Sequence, residues 1–391
     1  SLIPYPSSVR TGTGSVPLGS VRIEGDPATT ALLRDDLAAR LGAPMLEGGS
    51  KGSSVIVLTI DPDAVPMAEG YALDAADTTI WIAGHDAAGL YYGTRTLLQL
   101  LRREGGDGAG SWSVPEVRID DAPRFAYRGV MLDVARHFFG VDEVKRVIDR
   151  AAGLKFNHLH LHLTDDQGWR IQIDAWPLLA ERGGVSDAGG GSGGYFTKDD
   201  YRDLVAYAAA RHMTVVPEID LPGHTHAVGI GYPELVEQPT ISEKTLAESA
   251  ELHQPLPTHG VPYRGWSVGH SSVRIHDERS YDLIRDVLTE VAELTPGPYL
   301  HIGGDECLGT SPDDFAQFIA RVSRIAAETG KTPIAWHEAG AVADFAEGMI
   351  GQYWSSTVPT GAHGAHAAHF VQRGGALILS PSDRTYLDMK P

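Results

Sequence analysis

A single cysteine in 391 residues, Cys307, excludes an internal disulfide and any multi-thiolate metal site, so packing alone must hold the fold. No stretch approaches the roughly eighteen continuous apolar residues of a membrane span, which excludes a helical transmembrane protein. Basic runs are missing too: 32 Lys and Arg stand against 51 Asp and Glu, a net charge of -19 with His neutral. Nucleic acid and anionic membrane surfaces are therefore poor partners. The first residues, SLIPYPSSV, lack a basic segment leading into an apolar one, so a signal peptide is either absent or already removed. What is present, 42% hydrophobic and 21% charged residues with 45 Gly and 24 Pro, is a globular composition with a length that favours two or three domains.

Residues 1–122 read as a small α/β domain. SVRIEG, SVIVLTI and TTIWIAGHD are strand-like, while PATTALLRDDLAARLG and AAGLYYGTRTLLQLLRR are helical. Leu90, Leu97, Leu98 and Leu101 recur at helical spacing, as a face packed on a sheet would. A GGDGAG turn and a short strand near Trp112 follow. The polar, Pro-containing IDDAPRFAYRG then places the domain boundary near Ala122.

Residues 123–391 carry a different pattern: apolar strands ending in polar residues, each followed by a helical segment. This predicts an α/β fold of the (β/α)8 TIM type. The strands lie in RGVMLDVAR, HLHLHLTDDQ, TVVPEIDLPGH, YLHIGGDE, TPIAWHE, MIGQYW and ALILSPSDRTYLD, and helices in VDEVKRVIDRAAGL, KDDYRDLVAYAAARH, SYDLIRDVLTEVAEL and DDFAQFIARVSRIAAETG. Seven strands would leave two open sheet edges, so the eighth is expected from outside this sequence or the chain is truncated. Two inserts interrupt the repeat: a Gly-rich, flexible loop in ERGGVSDAGGGSGGYFTKDD and a long irregular excursion from Gly229 to Arg274.

In such a barrel the chemistry lies at the C-terminal strand ends. In chain order these ends offer Arg128 and Asp133, Asp165 and Asp166, Glu218, Asp220 and His224, Asp305 and Glu306, Trp336, His337 and Glu338, then Trp354, Tyr386 and Asp388. Carboxyls converging with indoles suit carbohydrate hydrolysis, where acids protonate a glycosidic oxygen and flat apolar rings stack on sugars. Singly, each has a plainer reading: an acidic residue after a strand caps the next helix, and a Trp fills core. His158, His160 and His162 alternate with leucines and so share one face. A metal-dependent hydrolase would use such a row. Three histidines on one strand span about 13 Å, however, so at most two could share an ion, and a polar interior layer bonded to carboxylates is the favoured reading. Cys307 has no evident base beside it and reads as a small buried hydrophobe. The Gly183–Gly194 segment lacks the Lys-Ser/Thr ending of a phosphate loop.

The runs RGVMLDVARHFFGVDEVKRVID, NHLHLHLTDDQGWRIQI, VVPEIDLPGHT, YLHIGGDE and SPSDRTYLD resemble the β-N-acetylhexosaminidases of glycoside hydrolase family 20, of the bacterial, Streptomyces type. The resemblance spans nearly the whole chain and implies an exo-acting, retaining enzyme that needs no metal or organic cofactor. It implies catalysis assisted by the substrate's own 2-acetamido group, an exception among glycosidases. On this resemblance Glu306 is the general acid/base, Asp305 holds the acetamido nitrogen, and Tyr386 donates to the acetamido oxygen. Trp336 and Trp354 enclose the methyl group. Arg128, Asp388 and Asp165 bind the sugar, while Asp220 and His224 sit behind Glu306 and tune its proton. The implied partners are N-acetylhexosamine-containing oligosaccharides, and secretion is the favoured location with the cytoplasm open. The family's eighth strand contributes a further Trp and Glu for which this sequence has no matching positions.

Independently of that resemblance, Asp305 and Glu306 are neighbours with Cα atoms about 3.8 Å apart, too close to flank a sugar ring from opposite faces. Two such anions raise one pKa, and the sequence leaves open which. The alternatives are a lacto-N-biosidase-type activity, a metal-dependent barrel hydrolase, and a non-catalytic sugar-binding fragment.

Overall fold

The computed structural model describes residues 2–41, 54–104 and 111–388, and the GGDGAG turn lies outside them. The chain forms two compact units. The first runs to Arg128 and also takes Ile148–Asn157 and Ala210–Met213. The second comprises Gly129–Val147, His158–Ala209 and the chain from Thr214 onward. The division is thus not a single cut, because two short segments that follow barrel strands in sequence pack within the first unit.

The first unit is a mixed sheet in the order Ser8–Pro17, Ser111–Asp121, Tyr71–Ala76, Thr79–Gly84, Ser54–Ile60, Val21–Gly25, with Arg102–Glu104 also pairing with Ser111–Asp121. Three of these strands, Ser8–Pro17, Tyr71–Ala76 and Arg102–Glu104, were not legible in the sequence. The first is rich in Gly, Ser and Thr and the second in Ala, residues that give weak strand signals, so pairing decides their state. In Tyr71–Ala76 alternate residues Tyr71, Leu73 and Ala75 are buried, the period-2 pattern of a half-covered strand. The helix Ala87–Leu100 starts at Asp86, whose side chain accepts from the Gly89 amide, and buries Leu90, Leu97 and Leu98. Leu101 follows the helix and is only partly buried. Gly93 lets that helix approach closely: a Cβ there would overlap the Ile82 side chain.

The second unit is a TIM-type α/β barrel. Its strands are β1 (Gly129–Asp133), β2 (His158–His162), β3 (Thr214–Glu218), β4 (Tyr299–His301), β5 (Thr332–Trp336), β6 (Ile350–Tyr353) and β7 (Leu377–Leu379). Among the described residues these seven pair in chain order, all parallel, and each lies in a segment read from the sequence. Register carries the strand tips to one level: Asp133 faces His162, and His162 faces Glu218. Buried parallel strands read as apolar runs, which is why they were legible.

The expected helices form as α1 (Val141–Gly153), α2 (Lys198–Ala209), α3 (Glu278–Leu294) and α4 (Pro312–Glu328), and a further α5 spans His363–Gln372. Asp277 caps α3, and Ser311 with Pro312 opens α4. None of the described helices is long and apolar enough to cross a membrane.

Both inserts are more ordered than expected. The excursion after β3 contains a helix, Glu243–Glu251, capped by Ser242 through the Thr245 amide at 3.0 Å. The Gly-rich segment is tied down by Arg170, a fully buried guanidinium that donates to the carbonyls of Gly184, Ser186 and Gly194 and, on its other side, to those of Val134 and Ala135. One side chain thereby joins the Gly-rich loop to the loop after β1.

Candidate active site

Beneath the strand tips lies a polar layer centred on Glu218, the last residue of β3. Its carboxylate accepts from His160 Nε2 at 2.7 Å, His162 Nδ1 at 2.8 Å and Trp336 Nε1 at 2.8 Å, while His301 Nδ1, which accepts from the Gly303 amide at 3.0 Å, lies 3.3 Å away. Alternate residues of β2 thus point inward to one carboxylate, which is the polar layer expected from the His-Leu alternation. Burial disfavours charge on Glu218, but His301, His162 and His160 around it hold it well below the usual carboxylate range. This layer pins the Trp336 indole from below, and only 4% of Trp336 remains exposed.

One level higher, His224 is the hub. It is fully buried and adopts φ 55°. Its Nδ1 lies 3.1 Å from Asp165 Oδ1, and its Nε2 faces Asp305 Oδ2 at 3.6 Å, Glu306 Oε2 at 4.0 Å and Asp220 Oδ2 at 4.0 Å. Burial works against a charged imidazole, but Asp165, Asp220 and Asp305 raise His224 well above the ordinary histidine range. Asp220 goes the other way: burial and the neighbouring Asp305 push its pKa far up.

Asp165 is placed differently from the expectation of a sugar contact. It is fully buried, and its two oxygens are occupied by the Asp166 amide, His224, His162 and Arg136. Burial opposes its ionisation, yet Arg136, His224 and His162 hold its pKa well below the usual range. It can act on the pocket only through those partners.

Asp305 and Glu306 follow β4 on a turn that the sequence GGDE makes possible. Gly303 and Gly304 have φ 70° and 99°, and a Cβ on Gly303 would overlap the Asp220 carboxylate. Asp220 Oδ1 in turn accepts from the Gly304 amide at 3.1 Å. Glu306 itself sits at φ 45°, a left-handed conformation that costs a non-glycine residue of order 1 kcal/mol and is tolerated where the surroundings enforce it. The side chains of Asp305 and Glu306 are 16% and 29% exposed, so both reach the mouth. Burial, and then the charge of Asp305, raise the Glu306 pKa against the opposing pull of His224. Cys307 donates its thiol to the Asp305 carbonyl at 3.1 Å, and burial pushes its pKa well above the ordinary thiol value, so it is no nucleophile.

Around the mouth, Trp354 donates Nε1 to Glu338 at 2.9 and 3.1 Å. Glu338 was visible at the end of β5 but carried no expected role. Its pKa is raised to about 8 by burial and by Asp305. Tyr386 follows the turn after β7, partly buried, and burial with the nearby Asp305, Glu218 and Glu338 raises its pKa, so the phenol stays a donor. Asp388 is exposed beyond it.

The arginine at this site is Arg136, not Arg128. Arg128 precedes β1, at the end of the strand away from the tips, and its guanidinium is bonded within the first unit to Glu69 at 2.8 Å and to the Lys155 and Phe125 carbonyls. Arg136 follows the C-terminal end of β1 and binds Asp133 and Asp165, each at 2.9 Å. Burial works against its charge, but Asp165, Asp133 and Asp305 raise its pKa further. The signal lay in the strand direction: RGVMLDVAR has an arginine at each end, and only the second follows the tip.

Residues 125–391 match the catalytic domain of glycosyl hydrolase family 20, and residues 1–122 match domain 2 of the same family. The chain is 36% identical over 369 residues to a β-N-acetylhexosaminidase of Cellulomonas fimi, covering 92% of this chain and 68% of that protein. It is 39% identical over 283 residues to a β-hexosaminidase of Porphyromonas gingivalis, covering 71% of this chain and 34% of the other. Among solved structures, a family 20 β-N-acetylglucosaminidase superposes with a TM-score of 0.89 at 50% identity, covering 99% of this chain and 76% of that one. A variant Streptomyces plicatus β-hexosaminidase in complex with its product GlcNAc does so with a TM-score of 0.86 at 42% identity, covering 100% and 76%. With both domains matched in order and the acid pair presented at the barrel's strand tips, this chain belongs to glycosyl hydrolase family 20.

Proposed function

We propose that this chain removes terminal β-linked N-acetylglucosamine or N-acetylgalactosamine from the non-reducing ends of oligosaccharides, with retention, through an oxazolinium ion. The observation that carries the reading is that Asp305 and Glu306 both approach one imidazole nitrogen, His224 Nε2, and so address one side of the pocket. A retaining enzyme with both carboxyls on one side needs a nucleophile from elsewhere, and the substrate's acetamide supplies it.

Glu306, whose protonated form burial favours, gives its proton to the glycosidic oxygen as the acetamido carbonyl oxygen attacks C1 and the C1–O bond breaks. Asp305 accepts from the amide N–H and balances the positive charge that grows on the ring. Tyr386 donates to the acetamido oxygen, and Trp336 and Trp354 enclose the methyl group. Glu306, now a carboxylate, takes a proton from water that opens the oxazolinium ion at C1. Arg136 takes the hydroxyl-binding part expected of Arg128, a task suited to its planar fork, and Asp388 shares it. Secretion is the proposed location, with a single cysteine compatible with either the cytoplasm or the exterior, and fractionation of producing cells tests it.

The test is to compare an aryl N-acetyl-β-glucosaminide with the matching aryl β-glucoside. Turnover of the first and not the second is expected; equal rates would refute assistance by the acetamide.

A further inference from the structure

Four clusters of histidine and carboxylate side chains in the barrel bring their donor atoms close enough to share an ion. In three of them a pair of the donors is already committed to each other: His160 and His162 to Glu218 at 2.7 and 2.8 Å, and His224 Nδ1 to Asp165 at 3.1 Å. The cluster of His224, Asp305 and Glu306 differs. His224 Nε2 is fully buried yet has no hydrogen-bond partner among the described residues, and neither has Asp220 Oδ2 beside it. Around that nitrogen stand Asp305 Oδ2 at 3.6 Å and the Glu306 and Asp220 oxygens at 4.0 Å.

Donors bound about 2.0–2.2 Å from one tetrahedral ion are themselves roughly 3.3–3.6 Å apart. The observed 3.6 and 4.0 Å from His224 Nε2 need up to about 0.7 Å of inward movement. The orientation is that of a metal-binding histidine, with Nδ1 on a carboxylate and Nε2 toward Asp305 and Glu306, and an ion bound there displaces the Nε2 proton that those carboxylates favour. Asp165 is in turn held by Arg136 and His162, which fixes the imidazole plane. Asp305 and Glu306, at 16% and 29% exposure, leave a path in from the mouth.

The geometry points to a binding site for one zinc-type divalent ion at His224 Nε2 with carboxylate oxygens of Asp305 and Glu306. One nitrogen and two oxygens, with water in the fourth position, form a donor set suited to Zn²⁺. The ion is an inhibitor and not a cofactor, because it occupies the acid pair. Inhibition rests on the proposed hydrolase reading, whereas binding does not.

Zinc uptake by the whole chain, measured by equilibrium dialysis with elemental analysis, tests the site. His224→Gln should lose one bound ion per chain, or bind it at least about tenfold more weakly, and Asp165→Asn should weaken it about 10–100-fold by releasing the imidazole. Ions held by surface histidines such as His363 and His366 would remain in both variants. If circular dichroism shows His224→Gln unfolded, the near-isosteric Asp305→Asn serves instead, with the same loss expected. An unchanged stoichiometry and affinity in the folded variant overturns the proposal. A crystal soaked in zinc should show an anomalous peak within bonding distance of His224 Nε2, and a peak only elsewhere also overturns it. In the activity arm zinc should raise KM for the aryl N-acetylglucosaminide. A chain that binds zinc at His224 but hydrolyses nothing refutes the hydrolase reading and leaves the ion site standing.

Discussion

Replacing Glu306 by Gln removes the proton and keeps the shape, so its cost depends on how much help the leaving group needs. General acid catalysis contributes about 10²–10⁴-fold, or about 3–5 kcal/mol at 1.36 kcal/mol per decade. A strongly acidic phenol departs as its anion and needs little of that help, whereas a sugar hydroxyl needs nearly all of it. Across a series of aryl and glycosyl N-acetyl-β-glucosaminides, kcat/KM of Glu306→Gln should fall by less than about tenfold for the most acidic leaving group. For a second sugar the fall should be about 10²–10⁴-fold. The pH profile gives a second reading. Glu306 must be protonated to act, and burial and Asp305 raise its pKa, so activity should persist above the ordinary carboxylate range and fall as pH rises through the raised value. In Glu306→Gln that alkaline limb should vanish. In Asp305→Asn one of the raising charges is gone, and the limb should move to lower pH in whatever activity remains. A loss equal for every leaving group, or an alkaline limb that survives in Glu306→Gln, would refute the assignment.

Three further outcomes follow from the geometry. Arg136→Lys loses the guanidinium, whose Nη1 meets both Asp133 and Asp165, and should raise KM by about tenfold or more, while Arg128→Gln should leave KM within about twofold; steady-state kinetics that reverse this order would return the sugar contact to Arg128. Gly303→Ala forces a Cβ onto the Asp220 carboxylate at φ 70° and should cut kcat/KM by at least about a hundredfold in a chain that still folds; wild-type rates would mean that the turn can give way. Stability should peak at mildly acidic pH. The depressed pKa of Asp165 contributes stability that is complete above about pH 4 and lost as pH falls towards its folded value. The raised pKa of His224 contributes stability that is complete below about pH 6.5 and lost as pH rises through its folded value. Urea midpoints measured from pH 3 to pH 9 should show a maximum between roughly those limits in the wild type, and a flatter profile in Asp165→Asn. Superimposable profiles would argue against the Asp165–His224 pair as the cause.

The amino-acid sequence by itself determined the seven barrel strands, because short apolar or alternating runs that end in polar residues stand out against the helical periods between them. It also determined that Asp305 and Glu306 act from one place, since adjacency in the chain is covalent and no fold can undo it. The interior histidines of β2 were legible for the same kind of reason: a two-residue period puts them on one face whatever that face meets.

Tertiary structure decided the rest, wherever the outcome depends on what arrives from elsewhere in the chain. Of two arginines flanking one strand, only Arg136 stands beyond its C-terminal end. Asp165 looked like any carboxylate at a strand tip until four donors from different elements closed over it. Glu306 carries a raised pKa because burial and a neighbouring charge are set by the packed surroundings and leave no mark on local sequence. The same reason explains the glycine- and alanine-rich strands of the first unit, whose state is decided by the strands beside them.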